Sequence, residues 1–157
     1  MSVTNKVSQK ACCGCSACFA VCPRRCISMK EGGDGFLRPV AEQESCNDCG
    51  LCERVCPVLA EHSPQSPPEA VFAAKLRDEA RRKQSSSGGV FSLLAEAVLA
   101  ERGVVCAARF ASPTHLVHDF CTDKEELPAF LGSKYVQSDM GDCFREIKKY
   151  LSDAMPR

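Results

Sequence analysis

The chain has 157 residues, enough for one ordinary domain or for one small module with part of another. Its 20 basic and 20 acidic side chains cancel, which leaves none of the basic excess a nucleic-acid binder uses to neutralise phosphates. The apolar run from Gly88 to Ala100, interrupted by Ser92 and Glu96, is too short to span a bilayer. The N-terminal stretch MSVTNKVSQK has no apolar signal-peptide core, and the 13 cysteines, about 8% of the chain, are odd in number and tightly clustered, so they read as thiolates held for metal in a reducing cytoplasm.

Ten of the 13 cysteines lie between Cys12 and Cys56. From Cys12 to Pro23 the chain reads C-x2-C-x2-C-x3-C-P, with Cys13 as a spacer, and from Cys46 to Pro57 it reads the same way. The pairs Cys12 and Cys46, Cys15 and Cys49, Cys18 and Cys52, Cys22 and Cys56 all recur at an offset of 34, which is an internal duplication. Three thiolates separated by two residues each can wrap one short loop around three irons of a cubane. The fourth, on the next helical turn, points away from that loop. Pro23 and Pro57 fix the backbone just beyond it. A structural zinc site could use Cys15, Cys18, Cys49 and Cys52, but it leaves the other four repeated cysteines and both Cys-Pro pairs without a role.

This pattern resembles the bacterial-type ferredoxin family with two 4Fe–4S clusters, over residues 8 to 60. The resemblance implies that the fourth cysteine of each motif serves the other cluster. The first cluster then takes Cys12, Cys15, Cys18 and Cys56, and the second takes Cys46, Cys49, Cys52 and Cys22. Eight thiolates and two oxidised cores would bring the balanced chain to a charge of about −4.

Between the motifs, Ile27 to Lys30 and Phe36 to Val40 read as strands of a hairpin across Gly32, Gly33 and Gly35. Cys13 and Cys26 read as small packing residues. Arg24 and Arg25 either stabilise a reduced cluster or are simply solvated. Residues 1 to 60 balance seven basic against six acidic side chains, unlike a freely diffusing acidic ferredoxin, so the module looks built into a larger protein. Glu61 to Glu69 holds three prolines and no apolar side chain, and His62 belongs to this solvated linker.

Beyond the linker the pattern becomes α/β, with a mixed sheet expected. Val71 to Leu76, Val104 to Phe110, His115 to Cys121 and Lys134 to Gln137 read as strands. Ser87-Gly88-Gly89 opens a helix with Val90, Phe91, Leu94, Ala97 and Val98 on its apolar face and Gly103 as its C-cap. A short helix is expected from Thr122 or Asp123 through Glu126. A last one starts near Ser138 or Asp139, with Met140, Phe144, Ile147 and Leu151 on one face. Ending on that helix, the second domain reads as incomplete. Cys106, Cys121 and Cys143 read as buried small residues, and His115 and His118 fall on opposite strand faces, without a joint role.

The fold class is therefore α+β: a two-cluster ferredoxin-type module over residues 1–60, a linker over 61–70 and a small α/β domain over 71–157. Ser86-Ser87-Gly88-Gly89-Val90-Phe91 and Gly132-Ser133-Lys134-Tyr135-Val136, after such a module, resemble the N-terminal region of the family of coenzyme F420 hydrogenase/dehydrogenase beta subunits. That resemblance implies an iron–sulfur flavoprotein passing electrons between clusters, FAD and F420. Ser87, Gly88 and Gly89 at a helix start, with Lys134, could receive a cofactor phosphate. Equally, Ser87 could cap the helix while the glycines permit close packing.

The expected function is a relay of single electrons to a flavin-containing partner or domain. Two alternatives stand beside it: an oxidoreductase subunit, F420- or flavin-dependent, that binds FAD itself, and a non-redox metal-binding module. No array of catalytic acid, base or nucleophile is visible, so an electron-transfer component is expected rather than an autonomous enzyme.

Overall fold

A computed structural model describes residues 2–60 and 68–154. The linker reading of Glu61 to Pro67, His62 included, lies outside the described residues. The chain forms two compact units, Met1–Pro64 with Met140–Arg157, and Gln65–Asp139.

In the first unit a 3₁₀ turn, Val3–Asn5, precedes helix α1 (Ala17–Val21), the strands β1 (Ile27–Glu31) and β2 (Leu37–Ala41), and helix α2 (Leu51–Arg54). β1 and β2 pair antiparallel from Ile27 opposite Ala41 to Glu31 opposite Leu37, as the two apolar runs with glycines between them predict. Asp34 holds the turn by accepting from the Phe36 N–H at 3.2 Å and from Arg38 at 2.7 Å.

The duplication is also written in the backbone. Gly14 and its counterpart Asp48 have φ of 65° and 53°, and Ser16 and its counterpart Gly50 have 62° and 70°. Each three-cysteine loop thus turns twice through the left-handed region before entering its short helix. That region suits glycine, is tolerated by Asp and strains other residues. Gly50→Val would add no clash, because no heavy atom lies within 4 Å of a Cβ there, but it would force a β-branched residue into that conformation. The expected cost is about 1–3 kcal/mol in unfolding free energy. A denaturant titration of the cluster-loaded protein with an unshifted midpoint would rule this out.

The buried core of the first unit consists of Val3, Cys18, Cys26, Ile27 and Cys52, with Cys22, Cys46 and Cys56 packed at its margin. Sulfur occupies most of the volume that aliphatic side chains fill in an ordinary domain.

In the second unit Asp78 caps helix α3 (Glu79–Arg82) by accepting from the N–H groups of Ala80 and Arg81, at 2.9 and 3.2 Å. Helix α4 (Val90–Ala100) follows, then β3 (Val105–Ser112) and β4 (His115–Cys121), and a 3₁₀ turn Leu127–Phe130. β3 and β4 form an antiparallel hairpin with a register shift between Phe110 and Ser112. Its core is Ala95, Cys121, Leu127 and Phe130.

Several expectations are corrected here. Val71 to Leu76 is not a strand. Val71 and Phe72 are 84% and 86% exposed, and the segment is anchored at its end, where the Leu76 N–H donates to Gly88 O at 2.7 Å. The mixed sheet is reduced to a single parallel bridge between Val117 and Asp139, so Lys134 to Gln137 forms no strand. Residues Lys124 to Glu126 form a turn rather than a helix, and the chain tightens into the 3₁₀ turn that carries Pro128 near its start.

α4 also turns the other way from the expected face. It buries Ser92 and Ala95, and Phe91, Leu94 and Val98 are exposed. The helix is apolar on most of its circumference, so periodicity could not choose a face. The small residues win because they allow close approach, with the Ser92 hydroxyl satisfied by donating to Gly89 O at 2.8 Å. At its other end Gly103 is not the left-handed residue. Arg102 is, at φ 59°, and the Gly103 N–H donates to Val98 O at 2.8 Å, closing the helix end.

The last helix, α5 (Cys143–Ala154), starts later than expected, and it packs within the first unit instead of completing the second. Arg145 explains this placement. Its Nε donates to Ala20 O at 3.1 Å, its Nη2 donates to Phe19 O at 2.7 Å, and its guanidinium lies 4.5 Å from the centre of the Phe19 ring. These carbonyls belong to the last turn of α1, where helical acceptors lack intrahelical partners. Phe144 and Leu151, placed on the apolar face by periodicity, are exposed, whereas Cys143 is buried. Cys121 is buried as expected, and Cys106 is only half-buried.

Candidate iron–sulfur centres

The first unit holds two voids lined by cysteines. Cys12, Cys15, Cys18 and Cys56 line one of about 270 Å³, together with Cys13 and side chains of the N-terminal 3₁₀ turn and β2. Cys22, Cys46, Cys49 and Cys52 line a tighter one of about 10 Å³, together with Cys26. In each case three cysteines come from one loop and the fourth from the other motif. Among the described residues no group of three or more His, Cys, Asp or Glu side chains is placed to hold a metal ion.

The local folding that produces this arrangement is simple. The double left-handed turn in each loop curls its first three cysteines inward, and the short helix that follows carries the chain across to the other site. Backbone donors are aimed at the sulfurs: the Val3 N–H at Cys52 Sγ and the Gly14 N–H at Cys12 Sγ, both at 3.4 Å. Hydrogen bonds to cluster sulfurs are one of the means by which a protein sets reduction potential.

Burial pushes the Cys18 thiol up to about 11 despite the Phe19 N–H, with the negative charge of Cys15 and Cys12 adding to it. Burial likewise raises Cys15, and Cys13 and Cys12 contribute to the same effect. At Cys22 burial acts upward too, but the N–H and thiol of Cys26 and the N–H groups of Arg24 and Arg25 outweigh it and hold the thiol below its ordinary value. These pKa directions describe the metal-free chain. Ligation needs thiolates, so a metal bound at Cys18 would displace a proton.

The second unit contains a cavity of about 500 Å³, within the size range of small-molecule sites. Ser87, Gly88, Gly89 and Lys134, picked out from sequence, all line it. The two motifs meet directly, since Ser86 Oγ lies 2.7 Å from Ser133 Oγ and the Ser133 N–H donates to Ser86 Oγ at 2.9 Å. Ser87 does not cap α4. The N-cap is Gly89, at φ 77°, and it carries no side-chain cap.

Gly88 serves close packing, because a Cβ there would lie 2.6 Å from Ala74 O. Lys134 Nζ donates to Phe130 O and Leu131 O at 2.8 and 2.7 Å, and burial lowers its pKa. Its ammonium therefore closes the end of the 3₁₀ turn as well as facing the cavity. Sequence reasoning missed Ala107 and Ala108 of β3, which also line this cavity. Two adjacent alanines in an otherwise bulky strand were the available signal. His118 Nδ1 lies 2.6 Å from Ser138 Oγ, away from the residues lining this cavity.

Residues 11–60 match the 4Fe-4S dicluster domain family, and a stretch covering 34% of the chain is 41% identical over 54 residues to a protein of Hydrogenibacillus schlegelii named Ferredoxin 7Fe. With the cysteine-lined voids, these matches support an iron–sulfur electron-transfer role for the first unit. Residues 71–144 match the coenzyme F420 hydrogenase/dehydrogenase, beta subunit N-term, family.

Over 94% of its length the chain is also 24% identical to a protein of Methanosarcina mazei, an F(420)H(2) dehydrogenase subunit. The match to the dicluster family and the match to the beta-subunit N-terminal family thus follow one another along the chain, over residues 11–60 and 71–144. The chain spans 45% of the dehydrogenase protein and 63% of the ferredoxin. Among the described residues no helix is long and apolar enough to cross a membrane.

Proposed function

We propose that the first unit holds two 4Fe–4S clusters, one on Cys12, Cys15, Cys18 and Cys56 and one on Cys46, Cys49, Cys52 and Cys22, and relays single electrons between a redox partner and a flavin-bearing partner or domain. The observation that carries this reading is the sorting of eight cysteines into two voids, each completed by the other motif's fourth cysteine. The size of the first void supports a cluster over one zinc ion. At about 270 Å³ it is roughly twenty times the ~10–15 Å³ that a single water requires. The second void, about 10 Å³, carries no such size argument, and its reading rests on the donor set, four repeated cysteines lining one space.

A bound cluster supplies reversible one-electron storage. The chain's own contribution is ligation, backbone hydrogen bonds to the sulfurs, and a short covalent route between the sites along α1, which carries Cys18 into one void and ends beside Cys22 in the other.

A second reading is favoured by the cavity of about 500 Å³ that gathers Ser87, Gly88, Gly89 and Lys134. There the second unit binds FAD itself, as part of an F420- or flavin-dependent oxidoreductase. The exposed apolar side of α4 supports a partner or further domain packing against this unit.

Anaerobic purification separates the readings. Two clusters give about eight irons and eight sulfides per chain, whereas a non-redox zinc module gives zinc and no sulfide. Seven irons would align the chain with the relative named for that number. Co-purified FAD, lost in Ser87→Asp through repulsion of its phosphates, would select the flavin-binding form; Ser87 is exposed, so the fold should tolerate the change.

A further inference from the structure

We propose that Arg145 is a positioning residue for helix α1, and that its charge raises the reduction potential of the second cluster more than that of the first. The inference rests on the assignment of Cys18 to the first cluster and of Cys22 to the second. α1 carries both ligands, Cys18 within the helix and Cys22 as its C-cap.

The guanidinium is built onto one end of that helix. Its Nε donates to Ala20 O at 3.1 Å, its Nη2 donates to Phe19 O at 2.7 Å, and it lies 4.5 Å from the centre of the Phe19 ring. Helical carbonyls point toward the C-terminus, so the positive charge sits at the end of α1 that delivers Cys22. The remaining nitrogen, Nη1, pairs with Asp142, three residues earlier in the chain.

Differences in exposure make this charge effective. The Arg145 side chain is 19% exposed and that of Asp142 is 56% exposed, so water screens the carboxylate more than the guanidinium and the field at α1 stays positive. Arg24 and Arg25, the cations nearest to Cys22 in the sequence, are both exposed. Reduction adds a negative charge to a cluster that its thiolates already make negative. A shielded cation at that end of α1 stabilises the reduced state, so its removal lowers the potential. Arg145 stays protonated throughout, and no bond to it forms or breaks.

The test is an anaerobic redox titration of the full-length protein followed by electron paramagnetic resonance, with the second-cluster signal identified as the one lost in Cys49→Ala. Arg145→Gln is expected to lower the midpoint of the second cluster by more than that of the first. Asp142→Asn is expected to raise it. Arg145→Lys keeps the charge without the planar fork, and its midpoint should lie closer to wild type than that of Arg145→Gln. A purely structural role gives the opposite sign in Arg145→Gln, because a loosened α1 admits water, which favours the more charged reduced cluster. A second-cluster midpoint that rises, stays constant or falls no further than the first in Arg145→Gln overturns the inference. If that variant loses iron, Asp142→Asn decides, and a midpoint that does not rise overturns it. Wild type with fewer than about eight irons overturns instead the two-cluster assignment beneath it.

Discussion

Cys56→Ala is expected to abolish the cluster held by Cys12, Cys15 and Cys18 and to leave the one held by Cys46, Cys49 and Cys52 in place, although Cys56 belongs to the same motif as the latter three. Cys56 lines the void of Cys12, Cys15 and Cys18 and does not line the other. The geometric reason is that α2 begins directly after the second loop and carries the chain away from it, so its last cysteine emerges at the opposite site. Iron should fall from about eight to about four per chain, with only one reduced-cluster signal remaining. Loss of the signal that depends on Cys49 instead, identified with Cys49→Ala, would show that each motif serves its own cluster.

Removal of iron is expected to have the other large effect, unfolding the first unit while the second survives. Val3 and Ile27 are the aliphatic side chains in its buried core, and each contributes about 1.5–3 kcal/mol by burial. The remaining core residues are cysteines, so in the proposed two-cluster form metal–thiolate bonds would carry much of the folding free energy. The second unit has a separate core of Ala95, Cys121, Leu127 and Phe130 that contains no proposed cluster ligand.

After chelation under anaerobic, reducing conditions, amide exchange should become fast across β1 and β2 and stay slow in β3 and β4. Retained protection of β1 and β2 in the iron-free chain would sink this expectation. Reassembly should become more favourable as pH rises from about 7 to 9, because the cysteine thiols of the unfolded, iron-free unit must release their protons to bind iron, and ligation therefore removes protons that the iron-free chain retains.

The exposed residues of the second unit have a common physical origin. Phe91, Leu94 and Val98 formed the expected buried stripe of α4, yet Ser92 and Ala95 are the side chains it buries. Val90–Ala100 contains apolar residues on nearly every side, and such a helix meets its neighbours wherever the backbone can approach most closely. Ala95 and Ser92 permit that approach, and a 3.6-residue period contains no information about it. The same limit explains Val71 to Leu76. β-branched and aromatic residues favour a strand, but pairing depends on which edge the folded chain offers, and the end of this segment is anchored instead by the Leu76 N–H donating to Gly88 O.

What the sequence determined by itself was local and repetitive. The offset of 34 identified the duplication and its eight candidate ligands, the glycines between two apolar runs marked the β1–β2 hairpin, and the Ser-Gly-Gly and Gly-Ser-Lys segments marked residues that share one cavity. These features are legible because spacing of a few residues directly controls loop curvature, hairpin closure and helix starts.

Tertiary structure alone decided that α5 seats Arg145 on the carbonyls of α1 and that Cys26 stands beside Cys22. Those outcomes depend on chain reversals and on competition among distant packing partners. Cys26 read in isolation is an ordinary small core residue. The left-handed turn at Arg25 precedes it, and its sulfur faces the void lined by Cys22, Cys46, Cys49 and Cys52.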